Sequence, residues 1–455
     1  MSGDGLDASV EKMRAEGLGQ AAIDTFAHYY EQLREGASGM LPEDDIEPVS
    51  DLPALDDLPE ADPDVLDAAV VLKLNGGLGT SMGMTKAKSL IEAKDGMTFL
   101  DVVAGQVLAL RERSGARLPL VLMHSFATRE DSLKALAEHP DLASDVPADF
   151  VQNKVPKIAA DDMAPVSWPD NPSLEWAPPG HGDLYTAMVT SGMLDELRDH
   201  GYRWAFVSNS DNLGAVLEPR ILTWIAREEI PFVMEVARRT EADRKGGHLA
   251  RGRSDGHLLL RETAQTPDED LAALQDVGRH PFVNTNNLWI DLDALADTLA
   301  RRDGVLGLPI IVNRKTVDPS DPDSPAVVQL ETAMGAAVGV FEGARALHVP
   351  RRRFAPVKTT NDLLALRSDA YVLHDDRRVE LAGERDEPPF IDLDSDYYKL
   401  IDGFEERFPA GAPSLVECER LEVEGDVRFG RGVVVRGSVS LSGPAQVDDE
   451  SVLSG

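Results

Sequence analysis

AAVVLKLNGGLGTSMGMTKAKSL, residues 68 to 90, decides the fold. The apolar run from Ala68 to Leu72 predicts a short buried strand. It breaks into Gly76, Gly77, Gly79 and Gly83, which remove side chains where a backbone must approach phosphate oxygens and present its N–H groups. A strand ending in such a cradle belongs to a sheet that takes ligands at the carboxyl ends of its strands. Downstream, TFLDVVAGQVLALRER reads as a helix, and LPLVLMHS and WAFVSNSDNL read as strands, so strand and helix alternate. The expectation is an α/β core around a mixed, mostly parallel sheet.

The loop has rivals to its phosphate-cradle reading. A tight strand-to-helix turn with solvated lysines is the blander one, and for a lone glycine pattern it is preferred. Here Lys73, Lys86, Lys88 and Lys94 fall within 22 residues of a chain with 12 lysines, where even scatter places fewer than one. A dinucleotide loop needs a helix from its last glycine, yet TKAKSLIEAKDG reads as a loop and short strand ending in an Asp-Gly turn, with the helix only after Thr98. A Walker loop fails because no Gly-Lys-Ser/Thr follows the glycines.

Outward from the loop, residues from Ala8 to about Glu35 carry apolar side chains at helical spacing, and predict one or two amphipathic helices. From Pro42 to Pro63 the chain turns to Pro, Asp and Glu, which predicts an extended acidic connector and a boundary. Beyond about Pro413 short strands with glycine turns recur, a pattern for a few coils of parallel β-helix. The formal charge of -35 argues against a nucleic-acid partner. Cys418 stands alone, the opening shows no secretory pattern, and no run of 18 apolar residues occurs, so a cytoplasmic protein without a membrane partner is expected.

With these motifs in place, the sequence resembles the UTP–glucose-1-phosphate uridylyltransferases, or UDP-glucose pyrophosphorylases, of the type found in eukaryotes. The family carries LNGGLGT, Met-Gly and a lysine a few residues on, matched by Leu74 to Thr80, Met82-Gly83 and Lys88. Many members have Gly-Pro before that lysine, whereas this chain has Lys86-Ala87. The likeness continues in order through FVQNKVPKI, WAPPGHGDLYTA, FVSNSDNLGA, RRTEADRKGGHLAR, FVNTNNLWI, KTVD, QLETAMGAA and RFAPVKTTNDLL. It implies a Rossmann-like nucleotidyltransferase core with a left-handed parallel β-helix at the C-terminus. The corresponding divisions are 1–62, the helical segment and connector; 63–395, the catalytic domain; and 396–455, the β-helix domain.

Each motif also has its own chemistry. PPGHGDLY sets two rigid prolines and two glycines around His181, so backbone and imidazole can both face a ligand; a loop histidine is otherwise a bystander. In WAFVSNSDNLGA the strand Trp204 to Val207 ends in polar residues, among which Asp211 could hold Mg²⁺ on phosphates or merely cap a turn. VNTNNLWI offers amides that read hydroxyls well. Lys358 follows a proline-broken strand, precedes a helix started by Asn361, and has Arg351, Arg352 and Arg353 upstream; alone it reads as a surface lysine. The resemblance implies nucleotide contacts at Leu74, Asn75, Gly76, Gly77, Gln152 and Gly180, and sugar-phosphate contacts at His181, Asn209 and Ser210. It also implies hexose contacts at Glu262 and Asn286, Asp211 as Mg²⁺ ligand, and Lys88 and Lys358 as catalytic cations.

The implied reaction joins UTP and glucose 1-phosphate into UDP-glucose and pyrophosphate. The sugar phosphate already carries about two negative charges near neutral pH, so no general base is required. Catalysis then consists of positioning and charge neutralisation. Alternatives are broader sugar use including galactose 1-phosphate, a non-catalytic nucleotide-sugar binder, and a nicotinamide-dependent dehydrogenase. N-acetylglucosamine 1-phosphate is disfavoured, since related enzymes for that sugar carry Gly-Gly-Gln-Gly-Thr-Arg in the loop. Monomer and homo-oligomer are both left open. The tail is expected to serve stability or assembly, since it carries none of the matched motifs.

Overall fold

All seven residues of Ala69–Asn75 are buried, as in a strand covered on both faces. In the computed structural model, which describes residues 4–79, 82–84, 86–383, 385 and 387–455, this strand lies inside a ten-stranded sheet. The strands are β1 (Ile46–Pro48), β2 (Ala69–Asn75), β3 (Leu120–His124), β4 (Asp149–Val151), β5 (Trp204–Asn209), β6 (Phe232–Arg238), β7 (His248–Gly252), β8 (Leu258–Arg261), β9 (Phe282–Asp291) and β10 (Arg345–His348). Parallel pairing joins β5 to β2, β2 to β3 and β3 to β4, so Asn209, Asn75, His124 and Val151 end on one edge. On the other flank β9 runs antiparallel to β5, β6 and β7, β10 joins β6 in parallel, and β1 and β8 both run antiparallel to β7. The sheet is therefore mixed, with its parallel run where the glycine loop leaves it.

Side-chain alternation along β2 feeds two cores. Val71 packs with Phe206, Trp289, Val102 and Val103 on one face, and Val70 and Leu72 pack with Val207, Leu184 and Leu292 on the other. The helices α1 (Asp4–Ala15) and α2 (Gln20–Arg34) match the expected pair, and bury Met13, Phe26 and Tyr30 against Ile158, Ile310 and Leu330. Helix α3 (Phe99–Ser114) starts at Thr98 in a reciprocal cap with Asp101. Just before it, Asp95 and Gly96 take φ of 52° and 76°, the two left-handed residues of a tight hairpin turn. The dinucleotide alternative fails on this geometry.

The acidic connector is docked rather than merely extended. Pairing of β1 with β7 holds it, Leu55 and Leu58 enter the core, and Glu43 is gripped by Arg261 at 2.5 Å, Arg279 at 2.6 Å and His280 at 3.0 Å. A buried Arg261 obliges an acidic partner, so part of the negative charge there is structural.

At the C-terminal end Phe390–Leu393, Cys418–Glu424, Val434–Ser442 and Val452–Ser454 form a parallel ladder, and Val427–Phe429 pairs with Ala445–Val447 in a second. Leu421 lies opposite Val439, Val427 opposite Ala445 and Val434 opposite Val452, the 18-residue spacing also seen between Arg431 and Asp449. Phe429 stacks on Phe408 at 4.8 Å, which joins this coil to the core under α3.

Candidate active site

The loop after β2 folds back on itself. Leu78 bridges Ala87, the Lys88 N–H donates to the Gly77 carbonyl at 3.1 Å, and Met84 and Met82 N–H groups donate to Gly79. This closure returns Lys88 to the sheet edge, where its Nζ lies 2.7 Å from Asp211 Oδ2. Thr80, the last residue of the matched loop motif, lies outside the described residues. Two of the four clustered lysines point elsewhere. Lys73 is buried and donates to Ser208 Oγ and the Ala215 carbonyl, both at 2.7 Å; burial, then the nearby Arg353, lowers its pKa to about 7. Lys94 donates to the carbonyls of Leu366 and Ser368. Lys86 is exposed and Lys88 half-buried, so the cation cluster is smaller than the sequence count suggests.

Asn209 ends β5 opposite Leu74 and Ser210 follows, with the Ser210 N–H on the Leu74 carbonyl at 3.1 Å. Asp211 comes next. Its Oδ1 is buried and, among the described residues, lacks a hydrogen-bond partner. An orphaned carboxylate oxygen beside a paired one is a donor that fits a hard dication. No group of three or more metal-ligating side chains occurs among the described residues, so such an ion would be shared with phosphate oxygens. The Asp211 carbonyl accepts the Val357 N–H at 3.1 Å, and Asn212 bridges Pro356, which brings in the segment carrying Lys358. Lys358 is exposed, with its N–H on Asp362 Oδ2 at 2.8 Å. The helix that follows starts after Thr359, capped with Asp362, and not at Asn361. Of the upstream arginines, Arg351 pairs with Asp243 and Arg353 with buried Glu235.

Gln152 extends β4 by donating its N–H to the His124 carbonyl, and its Oε1 stands 3.3 Å from where a Cβ on Gly76 would be. Gly77, exposed on the same loop, has open space at that position. Asn75 turns its side chain inward, to Ser132 Oγ at 2.9 Å and His124 Nδ1 at 3.3 Å, and leaves its main chain to the edge. Gly180 has φ of 78°, and a Cβ there would collide with the Thr332 main chain. His181 Nδ1 accepts the Met334 N–H at 3.0 Å, which puts the proton on Nε2; burial lowers its pKa to about 4, so it is a neutral donor. From Met334 the contacts continue: a Cβ on Gly335 would lie 2.9 Å from Asn284 Nδ2, which donates to Asn286 Oδ1 at 2.9 Å. Asn286 has φ of 57°. The Asn284 N–H donates to Gly247, which lies against the Glu262 carboxylate. Burial raises the Glu262 pKa and the charge of Lys358 opposes the rise, so the two sit within electrostatic reach. Two residues of the asparagine-rich strand serve the interior instead: Thr285 Oγ1 and Asn287 Nδ2 both donate to Glu235.

A family model described as UTP--glucose-1-phosphate uridylyltransferase matches residues 23–436 of this chain. The chain belongs to that family. A UTP--glucose-1-phosphate uridylyltransferase of Solanum tuberosum is 40% identical over 411 residues, 90% of this chain and 82% of that protein. UTP--glucose-1-phosphate uridylyltransferase 2 of Dictyostelium discoideum is 37% identical over 399 residues, 86% and 76% of the two chains. Among solved structures, a mutant UDP-glucose pyrophosphorylase of Leishmania major in complex with UDP-glucose is 47% identical, with a TM-score of 0.94 and coverage of 100% and 99%. Within this uridylyltransferase family member, sequence reasoning missed the supports under the edge. Asp183 accepts Asn153 N–H and Nδ2 at 2.6 and 3.0 Å, and Asn212 ties three segments together. Both follow residues already singled out, and a buried polar residue beside a ligand contact is the signal that could have found them.

Proposed function

We infer that this chain transfers the uridylyl group of UTP to glucose 1-phosphate, giving UDP-glucose and pyrophosphate. The observation that carries the reading is the junction of Lys88, Asp211 and Val357, which gathers three family motifs at one stretch of the sheet edge. A phosphate oxygen of glucose 1-phosphate attacks the α-phosphorus of UTP. One P–O bond forms, the bond to the β-phosphate bridging oxygen breaks, and pyrophosphate leaves with the electron pair.

The loop from Leu74 to Gly77, Gln152 and Gly180 would bind UTP, and His181, Asn209, Ser210, Glu262 and Asn286 the sugar phosphate. Asp211 holds Lys88 by one oxygen, so that this ammonium is aimed before substrate arrives, and offers the other oxygen to Mg²⁺. When bound, Mg²⁺ neutralises phosphate charge. Lys358 supplies a second cation toward the α-phosphate. The neutral imidazole of His181 can donate through Nε2–H without changing charge. The 18-residue spacing supports a parallel β-helix, whose left hand, like the divisions 1–62, 63–395 and 396–455, rests on the family resemblance. Among the described residues no helix is long and apolar enough to cross a membrane. A lone buried cysteine fits the reducing cytoplasm.

Pyrophosphate release, measured over a panel of nucleoside triphosphates and sugar 1-phosphates, tests the reading. UTP with glucose 1-phosphate is expected to lead. Comparable turnover with ATP, or none with any pair, overturns it, and equal use of galactose 1-phosphate selects the broader alternative.

A further inference from the structure

We propose that Asn212 is a positioning residue that sets Asp211 and Lys358 in register with each other, an inference that rests on the roles given to those two residues above. The two lie on segments far apart in the chain and meet through few bonds. Asn212 Oδ1 accepts the Ala355 N–H at 3.0 Å, and its Nδ2 donates to the Arg353 carbonyl and to Asn287 Oδ1, both at 3.2 Å. Because an N–H points at one end of the amide, the other end must be the NH₂, and the orientation is settled. Flanking main-chain contacts, Asp211 to Val357 and Asn212 to Pro356, run alongside.

The far side of this contact is stiff. Asn287 Nδ2 donates to the Arg353 carbonyl and to Glu235, whose fully buried carboxylate also takes Arg353 Nε at 2.8 Å and Trp289 Nε1 at 2.9 Å. Asn212 is itself buried, and a turn residue needed only for its backbone shape has no use for three satisfied side-chain bonds. No other side chain of this size supplies one acceptor and two donors in that layout. The arrangement therefore fixes the metal-side carboxylate against the segment that delivers the α-phosphate cation, from beneath and without touching substrate. A misplacement of about 1 Å between such groups costs roughly 100-fold in rate.

The test uses Asn212→Ala and Asn212→Asp in the full chain, with melting temperature, UDP-glucose affinity by calorimetry without metal, kcat, and the Mg²⁺ concentration for half-maximal rate. Asn212→Asp turns lone pairs toward two oxygens; Asn212→Ala strands the Ala355 N–H. We expect kcat to fall roughly 100-fold. The UDP-glucose Kd should stay within about twofold, and the half-maximal Mg²⁺ concentration should rise several-fold. A kcat within about twofold of the parent, or loss of UDP-glucose binding along with kcat, overturns the proposal. So does failure of both variants to fold, since Asn212 would then be a determinant of the fold. Two controls separate the premises. A parent that releases no pyrophosphate sinks the proposed function, and an undiminished Lys358→Gln variant sinks the role of Lys358; with both controls as expected, a normal Asn212 variant counts against Asn212 alone.

Discussion

Lys358 has its main chain anchored by Asp362 and its side chain in the open, within reach of Glu262. Lys358→Gln should lower kcat by about a hundredfold to a thousandfold, near 3 to 4 kcal/mol of transition-state stabilisation. UTP affinity should change far less, because Gln152, Gly180 and the loop remain; calorimetry beside steady-state rates reads both. Asp211→Asn should fold and lose most activity, together with its Mg²⁺ dependence, because the amide is a poor ligand for a hard cation. It should also release Lys88 from its ion pair. A matching Mg²⁺ titration in parent and variant would count against Asp211 as the ligand. The lysines show how far such roles can be read along a chain. A window count registers charge and not direction, so Lys73 and Lys94, which bond buried oxygens, look the same as Lys88. The positions of Asp211 and Lys88 at the sheet edge were legible because each sits one short turn beyond a strand or loop whose geometry is set locally, while the roles given to them came from the family resemblance. Asn212 was not, since its partners Arg353 and Asn287 come from distant segments.

At the level of elements, the glycine loop touches more than its own strand. Gly83 has φ of 76°, and a Cβ on it would lie 3.0 Å from Leu400 Cδ2, a residue of the C-terminal division. The segment expected to stand apart from the chemistry begins only after about Pro413; Leu400 precedes it, at the start of the helix Ile401–Arg407, so this contact ties the loop to the helical stretch ahead of the coil. Gly83→Ala adds strain at both places, so the UTP KM should rise several-fold while the melting temperature stays close to that of the parent; an unchanged KM would show the loop indifferent to Leu400. The coil itself is held by Phe429 under Phe408. Phe429→Ala should destabilise by about 3 to 5 kcal/mol, seen as a drop in urea midpoint. The strands and turns of this tail were legible from their short apolar runs and glycines. Its attachment was not, because Phe390–Leu393 joins the ladder from well before the glycine-rich stretch begins, and parallel pairing leaves no local mark.

Over the whole molecule, acid should weaken the fold in a defined window. Burial holds His124 and His181 near pKa 4, against 6.5 in the unfolded chain. Unfolding therefore takes up protons below about pH 6.5, and the stability contributed by these neutral rings is lost as pH falls from there toward 4. Asp183 acts the other way: burial raises its carboxyl to about 7, so its share of stability grows as pH drops from 7 toward 4. Burial also lowers His28, His248, His280 and His348 and raises Glu262, so six histidines stand against two carboxyls. The balance is a net loss, and the melting temperature should fall between pH 6.5 and 4.5; His124→Gln should flatten part of that slope. A flat profile in the parent would mean these rings are solvated. The formal charge of -35 at pH 7 adds self-repulsion, which eases within this window as pH approaches the sequence pI of about 4.6 and so offsets part of the loss. One property of the tail follows from its 18-residue return. A coil that regains its register after a set length can be lengthened by whole turns alone: inserting one full period keeps every inward valine inward, while one residue more or fewer rotates Arg428 or Glu422 into the axis. Length in this part of the protein is quantised, and related chains with longer or shorter tails should differ by complete turns.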